Sequence, residues 1–525
     1  MAFIGYIFCA AFSYLLFYIA LPPLNFMSVG FWWFLVGVVC IFLVYSLIVH
    51  FVTCHESFAI LSIIFSVVGG FLILAICIIA FSGSHLIRAK DYANLLEGRV
   101  VEKDISEYSP TIDNVPLMDR ETAELLASRT MGSLVEEVSQ FDLGRSTQIN
   151  YNNTPIRVVP LEYAGLFKWV NNKDKGIPSY ITVDMKTQQT EIHNLEQGMR
   201  YSPSGYFGED LRRHLRFKYP NVMMTDPIFE IDEEGNPYWV VSKLTHRVGL
   251  FGGTDVTGIL VVDAITGDIS EYDTTDIPSY IDNAFSVNVL ISLYDNYGKY
   301  QGGYWNSIFG QKNVIQTTDG YNYIPKDDDI YVYTGVTSVA SDESNIGFIF
   351  VNMRTKEYEY YEIAGAEEYS AMASAEGLVQ HLGYNATFPL LLSIEGQPTY
   401  CVALKDAGGL VKMYGLVNMS QYQIVVTDTT ISDCLKSYRT ALQNNGQSVI
   451  EVYNNTYKGV VEDIRTGEIL GTTYLYVKFN NDDIYYSFSL ADNENIILIN
   501  IDDSIEYSVM DGYENAKIVP SILIE

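Results

Sequence analysis

Before Arg88 the chain carries one Asp, Glu, Lys or Arg, namely Glu56. Three apolar runs fill that stretch, roughly Ala2 to Ala20, Phe31 to Thr53 and Phe58 to Ser82. Each is near the ~20 residues that a helix needs to cross a bilayer core, so the sequence predicts three transmembrane helices over residues 1–82. Pro22 and Pro23 divide the first run from the second, Thr53 to Ser57 makes a tight second loop, and Trp32 and Trp33 suit a membrane–water interface. A cleaved signal peptide fits poorly, because no Lys or Arg precedes the first run and further apolar runs follow it.

The rest of the chain is an acidic body. Of 525 residues, 32 are basic and 63 acidic, for a formal charge of −31. Single cores seldom exceed ~250 residues, so several domains are expected. An odd number of crossings puts the termini on opposite sides of the membrane. Arg88 and Lys90 favour a cytoplasmic body by the positive-inside rule, but long domains cross largely regardless of flanking charge. The body's composition favours the other side: the chain has 40 Tyr, and only Cys401 and Cys434 lie outside the membrane runs. The expected location is the cell membrane, with the C-terminal body extracytoplasmic. Cys401 and Cys434 read either as a disulfide or as two buried free thiols, the second being preferred because no CxxC or metal spacing occurs. Nucleic acid is excluded as a partner by the lack of a broad basic surface.

Within the body, a short polar turn recurs between apolar, β-rich runs. It appears at Asp184 and Thr187, at Asp263 and Thr266 in "GILVVDAITGDISEY", at Asn352 and Thr355, and at Asp463 and Thr466. An Asp or Asn opening such a turn bonds backbone N–H groups ahead of it, and Gly takes the left-handed position, so the chemistry closes a hairpin without a ligand. A second hairpin signal precedes several copies, around Gly235 and Pro237, around Gly396 and Pro398, and more loosely around Pro155. Helical stretches lie upstream: Asp119 to Gln140, Glu209 to Tyr219, Ser279 to Tyr297, Glu367 to Leu382 and Ser432 to Gln443. The expected fold is α+β: three N-terminal transmembrane helices over 1–82, a linker over 83–118, tandem helix-on-antiparallel-sheet modules over 119–200, 201–275, 276–363 and 364–428, and over 429–525 a helix plus a small β domain of OB-barrel type. A β-propeller is the alternative, since four-stranded meanders are blade-like, but helices between them argue against it.

Helices on bent antiparallel sheets with the turn "VDAITGDI" resemble the PepSY and cystatin-like families, whose copies carry a similar D-x-x-T-G hairpin. Asn352 for Asp and Lys356 for Gly depart from that pattern, as does "LVNMSQYQIV" in the fourth module. Through "YSPSGYFGEDLRRHLRFKYP", "WNSIFGQKNVIQTTDGYNYI" and "AGAEEYSAMASAEGLVQHLGYNATFPLLL" the body is also similar to membrane-anchored bacterial envelope proteins with such repeats, a resemblance that implies a location and no reaction.

Candidate sites are few. His85, His193, His214, His246 and His381 are scattered without HxxxH spacing. The acidic clusters Asp232–Glu234, Asp327–Asp329, Asp482–Asp483 and Asp502–Asp503 lack the alternation of a calcium loop and read as solvated turns. "GLFGGTDVTG" lacks a phosphate-loop ending and reads as a hairpin connection, and "GGYWNSIFGQK" as a packing loop or an exposed aromatic patch. One cluster stands against the acidic background: "LRRHLRFK" places Arg212, Arg213, Arg216 and Lys218 on one short helix. They are a candidate anion or partner site for a wall polymer or envelope protein; pairing with the protein's own carboxylates is the competing expectation. No motif implies a cofactor or metal. The combined reading is a non-enzymatic, membrane-anchored envelope protein whose modules bind or regulate a protein or polymer. A cell-wall or peptide hydrolase with a site between modules is the alternative, and a cytoplasmic-facing membrane sensor a third.

Overall fold

The computed structural model describes residues 2–104, 115–134, 137–326, 328–339, 341–447, 453–469, 472–480, 485–490, 494–510 and 522–523. The chain is mixed α+β, with apolar helices at its N-terminus and antiparallel sheets beyond them. Three helices open it: α1 (Ala2–Ala20), α2 (Val29–Thr53) and α3 (Glu56–Ser82). α2 and α3 are long and apolar enough to cross a membrane, whereas α1 is equally apolar but shorter. The stretch read as a linker holds α4 (His85–Ala93) and the strand Val100–Lys103, which joins the third sheet in parallel with Tyr358–Ala366; Pro110 lies outside the described residues.

Two compact units divide the chain. The first contains residues 1–105 and 116–367. Its first sheet comprises Phe141–Leu143, Thr147–Tyr151, Thr154–Tyr163, Ile177–Asp184 and Thr190–Met199. The second comprises Met223–Met224, Ile228–Ile231, Pro237–Val248, Gly252–Asp263 and Ile269–Asp273, and the third runs from Ile315–Thr317 and Asn322–Lys326 through Asp329–Ser338 and Ser341–Asn352 to Tyr358–Ala366. In each, two short strands lie end to end along one edge of the first long strand, and the remaining strands follow as a meander. The expected four strands are present, with the first of them broken in two.

The helices of this unit are α5 (Arg120–Met131), α6 (Leu166–Asn172), α7 (Leu211–Lys218) and α8 (Val287–Tyr300). Asp119 caps α5 as its position predicts, accepting the Thr122 amide at 3.0 Å. α8 begins eight residues later than the sequence suggested, because the intervening amides are engaged elsewhere: those of Asp282 and Asn283 by the Glu230 carboxylate, and that of Phe285 by the Met353 carbonyl. Leu290, Leu293 and Tyr294 of α8 share one core with Ile259 and Val261 of the second sheet and Ile349 and Val351 of the third. Burial of such side chains supplies roughly 1.5–3 kcal/mol each.

The second unit contains residues 106–115 and 368–525. Its first sheet repeats the broken first strand, with Asn385–Ala386 and Leu390–Ile394 along Gln397–Lys405, followed by Val411–Asn418 and Val425–Asp428. α9 (Glu368–Leu378) precedes it, and α10 (Ile431–Asn444) packs back on it rather than on the C-terminal β region to which the sequence assigned it. Tyr438 of α10 fixes that docking, its hydroxyl 2.8 Å from Thr399 Oγ1 and accepting from Asn418 Nδ2 at 3.1 Å. The C-terminal region is one antiparallel sheet, ordered Tyr485–Ser489, Thr472–Phe479, Tyr453–Ile469, Ser504–Met510, Ile522–Leu523.

Candidate functional site

The cationic helix α7 does not stand open on the surface. Asp210 caps it through the Arg213 amide at 2.8 Å, and its two leucines, Leu211 and Leu215, turn inward. Arg216 is 8 % exposed. Its Nε donates to the carbonyl of Leu21 at 3.0 Å and its Nη1 to that of Val222 at 2.6 Å, with Tyr219 and Pro220 carbonyls at 3.3 Å. Burial pushes its pKa down to about 10, which leaves it cationic at neutral pH. The Arg213 guanidinium covers the Tyr18 ring at 4.1 Å, and Phe217 packs edge-on against Phe17. Tyr18 lies in the last turn of α1 and Leu21 directly follows it, at the end where carbonyls lack helical partners and the helix dipole is negative. Two arginines therefore cap a membrane-type helix from outside it.

A second contact pins the same unit to α3. The tip of the second sheet's hairpin, Gly249 to Gly253, lies against Gly83 at the end of α3, and the Tyr92 hydroxyl of α4 donates to the Gly83 carbonyl at 2.7 Å. A Cβ on Gly252 would collide with the Tyr92 hydroxyl, and Gly249 has φ +62° with a Cβ position 3.0 Å from Gly83 Cα. The glycine-rich stretch is a hairpin connection, as its sequence predicts, and close approach to the helix end is what requires its glycines.

Of the four candidate anion-site residues, Arg213 and Arg216 are thus committed to this seat. Arg212 pairs with Asp226 at 2.9 Å, both side chains being exposed, and Lys218 faces solvent. Internal pairing is present, but mainly with carbonyls and an aromatic face instead of the carboxylates expected.

Sequence reasoning missed a second polar centre, where the first three sheets meet. Glu230, fully buried on Ile228–Ile231, accepts the Asp282 amide at 3.0 Å and the Asn283 amide at 2.8 Å. Asp282, itself nearly buried, accepts the Asn150 amide at 2.6 Å, and the Asn150 side chain donates to Asp328 at 3.1 Å. Asn283 Nδ2 donates to the Gln148 carbonyl at 2.9 Å. Beside them Arg354 holds Asp329 with two bonds, at 2.6 and 2.8 Å. Burial pushes the Glu230 carboxyl up to about 7, and burial with the neighbouring Glu230 charge raises Asp282. The available signal was one acidic residue inside the apolar strand Ile228-Phe229-Glu230-Ile231.

The recurrent turns bond themselves. Asp184 accepts the amides of Lys186 and Thr187 at 2.8 Å each, Asp263 those of Ile265 and Thr266 at 2.8 and 2.9 Å, and Asn352 those of Arg354 and Thr355 at 2.8 and 2.9 Å. Gln188, Gly267 and Lys356 take the left-handed position that follows, with φ of +63°, +79° and +65°. Asn418, in the divergent fourth copy, still accepts the Gln421 amide at 2.8 Å. The copy at Asp463 is different: Asp463 and Thr466 lie within the strand Tyr453–Ile469, paired with Lys478 and Leu475, because the ladder continues through them.

The histidines are dispersed. His85 bonds Asn296 at 3.1 Å, His193 the Thr182 hydroxyl at 2.8 Å, His214 the Gly267 carbonyl at 2.7 Å and His246 the Thr254 hydroxyl at 3.2 Å, while His381 is exposed. Among the described residues no group of three His, Cys, Asp or Glu side chains is placed to hold a metal ion; Asp327, Asp482 and Asp483 lie outside them. Cys401 and Cys434 are buried free thiols. No protein-family model and no curated protein matches this chain.

Proposed function

We propose that the chain is a non-enzymatic, membrane-anchored envelope protein of bacteria, with three membrane helices, tandem modules of PepSY or cystatin-like kind and a C-terminal OB-type β domain. Its modules bind or regulate a protein or an anionic wall polymer on the extracytoplasmic side. One observation carries the reading: an acidic α+β body is mounted at two points on the ends of apolar helices, through Arg216 on α1 and through the glycine hairpin on α3. Such a mount suits a protein that presents surfaces at a membrane. The raised carboxyls that a hydrolase would use, Glu230 and Asp282, are spent on backbone amides inside the unit.

The test has two parts. Protease added to intact protoplasts is expected to digest the chain beyond residue 90, and protection until lysis would reject the orientation. Full-length protein incubated with purified wall material is expected to be retained without releasing soluble fragments. Fragment release above that of heat-denatured protein would overturn the non-enzymatic reading in favour of a hydrolase.

A further inference from the structure

Beyond Ser82, the described residues of the first unit expose large apolar side chains in a restricted pattern. All except Val101, Val138 and Tyr321 fall in four short segments. Leu86 and Ile87 lie on α4; Leu166, Phe167 and Val170 lie on α6; Phe207 precedes α7 and Phe217 lies in its last turn; and Trp305, Ile308 and Phe309 form one turn after α8. Phe167 and Phe309 are 81 % and 76 % exposed, far beyond what a solvated surface ordinarily asks of phenylalanine.

Each segment is tied to the body-side end of an apolar helix. Phe217 packs on Phe17 and Tyr18 of α1. The Phe207 carbonyl accepts from Arg213 at 2.8 Å, the arginine that covers Tyr18, and the Phe207 ring lies 5.6 Å from Trp169 of α6. At the end of α3, Tyr300 closes α8 stacked at 4.9 Å on His85, three residues past that helix. The following turn, Asn306–Gly310, carries Trp305 and Phe309 with their rings stacked at 5.7 Å.

Charge follows the same pattern. In a chain with 63 acidic residues, the segments 83–90, 164–173, 211–224 and 299–314 contain Lys or Arg but no Asp or Glu; Phe207 lies outside them, and the Glu209 and Asp210 that follow it are paired with Arg200 and Arg213. Aromatic side chains ringed by cations are the composition that suits the headgroup layer of an anionic bilayer, where an aromatic body sits at the apolar boundary and ammonium groups reach phosphates.

We propose that the turn Trp305–Phe309 and the α6–Phe207 pair are two prongs, one tied to the end of α3 and the other to the end of α1, that enter the interfacial layer of an anionic membrane and fix the body to the lipid. This rests on the membrane-anchored reading above, and the experiment separates the two. Full-length protein and its Trp305→Phe variant are reconstituted in vesicles of phosphatidylcholine and phosphatidylglycerol, and the Trp305 contribution is taken as their difference in emission. It is expected to be blue-shifted, quenched by a lipid spin label placed near the headgroup and shielded from acrylamide. Emission at the water wavelength, quenched by acrylamide but not by the lipid label, overturns the prongs if the chain still resists alkaline carbonate extraction. Release of the chain by carbonate overturns the anchoring itself. In vesicles of phosphatidylcholine alone the lipid quenching is expected to weaken, and equal quenching in both would overturn the anionic assignment.

Discussion

The seat on α1 and the junction of the first three sheets solve one problem with opposite charges. Arg216 is a buried cation surrounded by carbonyl oxygens, and Glu230 is a buried carboxyl surrounded by amide N–H groups. Both replace water with backbone dipoles, which is the condition for burying a charged group at tolerable cost. They differ in what pH can do to them. Arginine keeps its proton throughout the physiological range, whereas burial pushes the Glu230 carboxyl up to about 7 and raises Asp282 beside it. A pH-indifferent joint thus sits where the unit meets the apolar helix α1, and a pH-sensitive one in its interior.

The strongest way to break this comparison is at Arg216. Arg216→Met leaves the carbonyls of Leu21 and Val222 without a donor and is expected to cost about 3 kcal/mol, read as a lower melting temperature of the full chain in detergent. The loss should be equal at pH 5 and pH 7. Arg216→Lys should recover only part of it, since an ammonium lacks the planar fork that reaches both carbonyls. A variant that melts like the parent would remove the seat from the account.

A smaller effect sharpens the other side. Glu230 has a folded pKa of about 7, above its ordinary 4.5, so between those values the folded state holds a proton that the unfolded state has lost. The contribution of Glu230 to stability is therefore full below pH 4.5 and is lost as pH rises through about 7. Asp282→Asn removes the second raised carboxyl, whose own titration adds to that slope. It is expected to flatten that slope and to raise stability at pH 7 by about 1 kcal/mol. Denaturant melts across this range decide the matter: an unchanged slope in the variant would show that the pair is not the source.

The turns define the small end of the scale, where no net charge is buried. Asp263→Ala should lose about 1 kcal/mol with its two backbone bonds. Gln188→Gly should gain a few tenths of a kcal/mol by relieving the left-handed φ that Gly267 already occupies at the equivalent place. The proposed binding to wall material, measured well below the melting temperature, should be the same for both variants and the parent, and selective loss of binding in Asp263→Ala would make that turn a site.

What could be read from the sequence was what short spacing encodes. Asp184, Asp263 and Asn352 form their bonds within four residues, and the cap at Asp119 and the charge-free helices before Arg88 are equally local. The seat and the junction join residues far apart in the chain, such as Leu21 with Arg216 and Glu230 with Asn283, and no periodicity announces them. The basic cluster was visible, but its orientation was not, because whether an arginine faces solvent or a helix end is decided by packing. The start of α8 and the docking of α10 are illegible in the sequence for the same reason: Glu230 and Thr399 engage those segments from other elements.

The break in the leading strand of four sheets has a consequence for crowding. That strand forms a sheet edge, where an unbroken row of amides and carbonyls would invite pairing with another copy of the chain. Splitting it into pieces such as Phe141–Leu143 and Thr147–Tyr151, or Met223–Met224 and Ile228–Ile231, leaves no long straight ladder to template on. The interruption thus guards that edge of a strand-rich, tyrosine-laden body against self-association, a safeguard that matters most if, as proposed, the chain is confined to two dimensions.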